Sequence, residues 1–196
     1  MTNHVARVPL ALLVSVAPLA LLASASPLLG ADVRQGVFSF DRDETSGKWI
    51  AVNDNVMGGR SEGGFREASG ELYFAGRTNT SGGGFSSIRA DSMRLDLSAS
   101  SGIRLRIKGD GRRYTWRLAT TARWRGRPVS YWADFDTVAG EWTSVDIPFS
   151  SFVPKFRGYR LDGPPLDTSQ IAGMGLMIYD NRDGAFELYL DSISAY

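Results

Sequence analysis

The chain has 196 residues, with 22 Lys and Arg against 21 Asp and Glu, one histidine and no cysteine. That length suits one domain with a full core. A net charge of +1 supplies no global field toward nucleic acid or anionic lipid, and the missing thiols exclude disulfides and thiol redox work. Twenty-two glycines beside five Trp, seven Tyr and ten Phe favour a turn-rich β protein.

Residues 1–7 hold a single arginine and the only histidine, His4, and no charge follows from Val8 to Ala31. Ala23-Ser-Ala25 has the small-x-small pattern of a signal-peptidase site, so residues 1–25 are expected to form an export signal, with a second cut position near Gly30. An uncleaved membrane anchor is the alternative, because the uncharged run is long enough to span a bilayer; Pro9, Pro18 and Pro27 count against it. The expected location is therefore periplasmic or secreted, with membrane anchoring by the N-terminal segment as the alternative. Without residues 1–25 the chain keeps 21 basic and 21 acidic residues and has neither imidazole nor thiol. Ser-His-Asp and Cys-His nucleophiles are then excluded, as are zinc and copper sites with His or Cys ligands. Carboxylate acid–base chemistry, oxygen-ligand calcium sites and non-catalytic binding are left.

Short apolar stretches separated by turn signals run through the remainder, the pattern of a sandwich or barrel. Val37–Phe40 reads as a first strand. The stretch Trp49 to Phe65 organises the rest of the chain: a strand exit, three Asx residues, paired glycines, then re-entry into a sheet. Strands are expected at 70–75, 84–89 and 103–108, the last with Ile103, Leu105 and Ile107 on one face and Arg104, Arg106 and Lys108 on the other. Gly109-Asp-Gly111 reads as a hairpin turn into Tyr114–Leu118, which places Arg104, Arg106 and Lys108 beside Arg117. Val129–Phe135 alternates again, with Ser130, Trp132 and Asp134 facing outward. Trp142–Phe149 is a strand, 152–165 an irregular surface connection, and Thr168–Ile171 a single helical turn. Ile171–Tyr179 reads as a central strand, and Asp183-Gly184 as a hairpin turn into Phe186, Leu188 and Leu190. No stretch sustains a 3.6-residue apolar period, and residues 36–196 form one β-sandwich domain.

Two groups of residues are candidate binding sites. One is the corner, where Asn53, Asp54 and Asn55 supply oxygens suited to calcium or to buried Asx turns. Met57, Gly58, Gly59 and Ser61 complete a backbone-rich surface able to meet an anion or a partner, or form a tight strand-entry turn. The other is a basic stripe with an exposed aromatic, Arg106, Arg117 and Trp132, suited to a glycan, a carboxylate or a partner loop, or else a solvated, salt-bridged sheet face. Gly58 to Gly63 lacks the lysine of a phosphate-binding loop. Arg123 to Arg127 reads as a hairpin loop, since a neutral chain lacks the footprint of a nucleic-acid binder. Asp180–Gly184 fails the spacing of a calcium loop. Glu62, Glu67, Asp134, Asp136 and Asp180 show no acid–base spacing. No catalytic residue, metal or cofactor is expected.

Several of these blocks, in order, resemble one family. They are Asn53-Asp-Asn-Val-Met-Gly-Gly-Arg-Ser61, Gly83–Arg89, Gly109-Asp-Gly111 with Tyr114, Trp142 with Ile147-Pro-Phe149, Phe156-Arg-Gly158 and Gly184–Leu188. From about Phe38 to Ala195 the chain is similar to the complex I intermediate-associated protein 30 family. The resemblance implies an all-β, galactose-binding-domain-like jelly-roll sandwich. It further implies a non-catalytic assembly factor that acts through a protein partner. Export would put this chain across the membrane from the arm of complex I on which such factors act, so the expectation becomes partner recognition in assembly or quality control of an envelope complex. A carbohydrate-binding module is the alternative.

Overall fold

The computed structural model describes Met1, residues 35–40 and residues 49–196; residues 2–25 of the expected leader lie outside the described residues. Among the described residues the strands make two antiparallel sheets that enclose one core. The first sheet contains β3 (Glu62–Ala68), β4 (Glu71–Thr78), β13 (Gly184–Ala195), β6 (Gly102–Lys108) and β9 (Trp142–Pro148) in that order, and β1 (Gln35–Ser39) also pairs with β13. The second runs β11 (Tyr159–Arg160), β10 (Val153–Phe156), β8 (Arg127–Asp136), β7 (Arg113–Trp124), β12 (Ile171–Ile178), β5 (Ser86–Leu95), β2 (Trp49–Asn53). Consecutive strands repeatedly change sheet, as from β4 to β5, β5 to β6 and β6 to β7, which gives the jelly-roll its interlocked order.

Alternation decides which faces meet. Ile103, Leu105 and Ile107 of β6 and Leu188, Leu190 and Ile193 of β13 are buried against Tyr114, Trp116 and Leu118 of β7 and Tyr131 of β8. At roughly 25 cal/mol per Å² of apolar surface, each of these large side chains contributes about 1.5–3 kcal/mol, and no disulfide assists. The Tyr114 and Tyr131 hydroxyls avoid a desolvation penalty by donating to backbone carbonyls, Glu187 for Tyr114 and Pro164 and Pro165 for Tyr131.

Two expected hairpins are crossovers. β6 pairs with β9 and β13, whereas β7 pairs with β8 and β12, so Gly109-Asp-Gly111 carries the chain between sheets. Asp183-Gly184 likewise leads from β12 in one sheet to β13 in the other. The physical reason is the core. Ile103, Leu105 and Ile107 must face Tyr114, Trp116 and Leu118, and two strands of one hairpin cannot face each other. The connection 152–165 is more regular than expected, because Arg157 and Gly158, both with positive φ, turn β10 into β11. Arg125 and Gly126 do the same between β7 and β8, the hairpin expected there.

Candidate functional site

The corner is built around Asp54, a carboxylate with no exposed surface. Residues Asp54–Met57 form one 3-10 turn, closed by Gly58 in the left-handed region at φ 87°. The Asp54 carboxylate accepts hydrogen bonds from the Ser61 N–H at 2.8 Å and the Ser61 hydroxyl at 2.6 Å. It also accepts from the Gly84 N–H at 2.6 Å and the Phe85 N–H at 3.3 Å. One side chain thereby fastens two loops. Glycine is dictated where those loops press on it: a Cβ at Gly59 would lie 2.2 Å from Asp54 Cγ, and one at Gly83 would lie 2.3 Å from Oδ2. Burial pushes the carboxyl up, but the Ser61 hydroxyl and the N–H groups of Gly84, Ser61 and Phe85 outweigh it and hold it below the ordinary aspartate value.

Asn53 adds a second tie. Its amide donates to the Gly63 carbonyl and accepts from the Ser86 hydroxyl, joining β2 and β5 of one sheet to β3 of the other. The oxygens of Asp54 are thus occupied by donors, the wrong partners for a cation. Among the described residues no group of three acidic or His side chains is placed to hold a metal. What the corner presents outward is Asn55, Val56, Met57 and Gly58, with Val56 68% and Met57 52% exposed.

The stripe expected from Arg106, Arg117 and Trp132 does not exist as one surface. Arg106 lies on β6, in the sheet opposite Arg117, where it pairs with Asp191 at 3.4 Å and sits over the Trp142 ring. Its neighbours are similarly matched: Arg104 with Asp146, and Lys108 over Tyr189 and Trp142. That face is a salt-bridged, aromatic-backed surface.

Arg117 and Trp132 do come together, as directly opposed residues of β7 and β8 on the outer face of the seven-stranded sheet. Trp132, expected to be exposed, is only 8% so. Arg117 and Lys155 lie over its ring, Tyr179 packs against it at nearly a right angle, and its indole N–H donates to Ser130. On the other side of Arg117, across Gly175 of β12, stands Arg89 of β5. A Cβ at Gly175 would lie 2.6 Å from the Ile88 carbonyl, so glycine keeps the strip between the two arginines low. Sequence reading placed Ser130 on the outer face but assigned neither it nor Arg89 and Lys155 to a site. The Ser87, Arg89, Asp91 alternation against Ile88 and Ala90 was the available signal for Arg89.

A family model described as "Complex I intermediate-associated protein 30" matches residues 38–190. The chain belongs to this family. An uncharacterised protein of Schizosaccharomyces pombe is 33% identical over 167 residues, 74% of this chain and 76% of that protein. The "Complex I intermediate-associated protein 30, mitochondrial" of Mus musculus is 28% identical over 185 residues, 82% of this chain but 55% of the mouse protein. Among solved structures, a family 11 carbohydrate-binding module of a Clostridium thermocellum cellulase superposes with a TM-score of 0.55 at 18% identity, covering 76% of this chain and 85% of the module. An agarase superposes with a TM-score of 0.58 at 10% identity, covering 83% of this chain and 24% of the agarase. Identities that low establish the shared β-sandwich and nothing about ligands.

In this family member the carboxylates considered for acid–base work are dispersed. Asp180 pairs with Arg112, Asp136 with Arg113, and Asp134 accepts from Thr115. Glu62 and Glu67 stand exposed on β3 of the opposite sheet.

Proposed function

We propose that the protein is a non-catalytic binding module, exported to the periplasm or beyond, which recognises a protein partner during assembly or quality control of an envelope complex. One observation carries this reading. The Asp54 clamp spends four hydrogen bonds on a corner whose outward side chains, Val56 and Met57, are apolar and more than half exposed. Rigid display of apolar side chains lowers the ordering cost of docking and suits a protein surface better than a soluble metabolite. Family membership over residues 38–190 agrees, since the mouse relative is named for association with an intermediate of complex I.

The test is affinity capture of the tagged protein from its own cell envelope, with identification of whatever is retained. A retained partner that is lost in a Val56→Ser/Met57→Ser variant supports the reading. Retention of nothing above background, or of the same partner by the variant, contradicts it. A carbohydrate-binding role is the second reading, compatible with the β-sandwich that the cellulase module shares. It predicts tryptophan quenching on addition of polysaccharide.

A further inference from the structure

Arg89 and Arg117 are anomalous for a sheet face. The ion pairs among the described residues join Arg104 to Asp146, Arg106 to Asp191, Arg112 to Asp180 and Arg113 to Asp136; neither Arg89 nor Arg117 takes part. Arg89 donates from Nε to the Ser87 hydroxyl at 3.3 Å, and Arg117 from Nη2 to the Ser130 hydroxyl at 3.0 Å. The Nε of Arg117 is buried and meets no acceptor. Burial first, and the Arg89 charge second, push the Arg117 guanidinium down to about 9, with the exposed Asp91 opposing. A guanidinium nevertheless stays charged at neutral pH, so the fold holds two neighbouring cations at a cost in stability. Stability alone would place small or apolar groups here, as it does at Thr115 and Met177 on the same face.

Between the two arginines lies a cavity of about 30 Å³, lined by Arg89, Asp91, Arg117, Ser130 and Gly175 among others. We propose that this cavity is a receptor for one carboxylate, carried on an acidic side chain of a protein partner. Guanidinium forks match the planar carboxylate through paired N–H donors, and both Arg89 and Arg117 line the cavity. The cavity offers N–H and O–H donors from Arg89, Arg117 and Ser130. Trp132 is covered by Arg117, Lys155 and Tyr179, so no ring face is open for a sugar to stack on. Ile50, paired with Arg89 across β2 and β5 and half exposed, adds the apolar shoulder expected beside a charged anchor in a protein interface. The inference rests on the protein-partner reading and assigns that partner its chemistry.

The experiment is a fluorescence titration of the full chain with hexaglutamate, run beside trigalacturonate and inorganic phosphate. Hexaglutamate is expected to change tryptophan emission saturably, and Arg89→Met and Arg117→Met are each expected to weaken it at least tenfold. The thermal midpoint of Arg117→Met should rise, since the variant removes a half-buried guanidinium that has no ion-pair partner. Lack of a saturable response would overturn the site, and so would a fall in that midpoint, which would make Arg117 structural. Equal binding of trigalacturonate or phosphate would overturn the assignment to an acidic side chain. Capture of one envelope partner by both the parent and the arginine variants would sink this site while leaving the proposed function standing. Hexaglutamate binding without any captured partner would do the reverse.

Discussion

Arg112 stands just before β7 and Arg117 within it, and their surroundings are opposite. Arg112 is buried among acceptors: both carboxylate oxygens of Asp180, the carbonyls of Arg182, Gly184 and Ala185, and the Thr78 hydroxyl. It joins the β6–β7 crossover to the β12–β13 crossover and to β4, and the Asp180 hydrogen bonds raise its affinity for its proton despite burial. Arg117 has one hydroxyl acceptor and another arginine for a neighbour. A satisfied buried arginine is a structural fastener. A half-buried one without a carboxylate partner, beside a second cation, is a stability cost that binding of an anion offsets.

Substitution should widen that contrast. The largest effect is expected from Asp180→Ala, which leaves Arg112 buried without its carboxylate and should lower stability by about 3–5 kcal/mol in urea unfolding. A loss below about 1 kcal/mol would remove the distinction between the two arginines. Next comes Asp54→Ala, which orphans the Ser61, Gly84 and Phe85 donors and should cost about 3 kcal/mol by the same measurement.

The pH dependence of that clamp has a definite sign. The folded value of Asp54 lies below the ordinary 3.8, so the unfolded chain binds its proton more readily. The stabilisation is complete above that ordinary value and is lost as pH falls through the folded one. Unfolding measured from pH 5 to pH 2 should show a steeper acid loss in the parent than in Asp54→Asn; equal slopes would deny the carboxylate its role. Arg117→Met should move the other way, gaining about 1 kcal/mol. Arg106→Ala should do least, below about 1 kcal/mol, because its pairing with Asp191 is exposed. It should also leave hexaglutamate binding unchanged, which separates the two sheet faces.

Much of the fold was legible, because two-residue alternation in β6, β7 and β8 names the core side chains directly. Partner assignment was not. Gly109-Asp-Gly111 has hairpin composition, yet the apolar faces it joins must confront each other across the sandwich, and that requirement sits far from the turn. The corner was recognisable from its Asx run and glycine pairs. That Asp54 is its hub depended on Gly83, Gly84 and Phe85, roughly thirty residues onward. The outer-face site was half legible: Arg117 and Trp132 stood out, but Arg89 reaches them only through the intervening β12, where Gly175 gives no chemical hint.

The decisive measurement is urea unfolding of the parent and of Arg117→Met, each with and without hexaglutamate. The variant is expected to be the more stable chain alone, and the peptide to stabilise only the parent. A variant less stable than the parent, with the peptide shifting both chains alike or neither, would contradict a carboxylate receptor at Arg117.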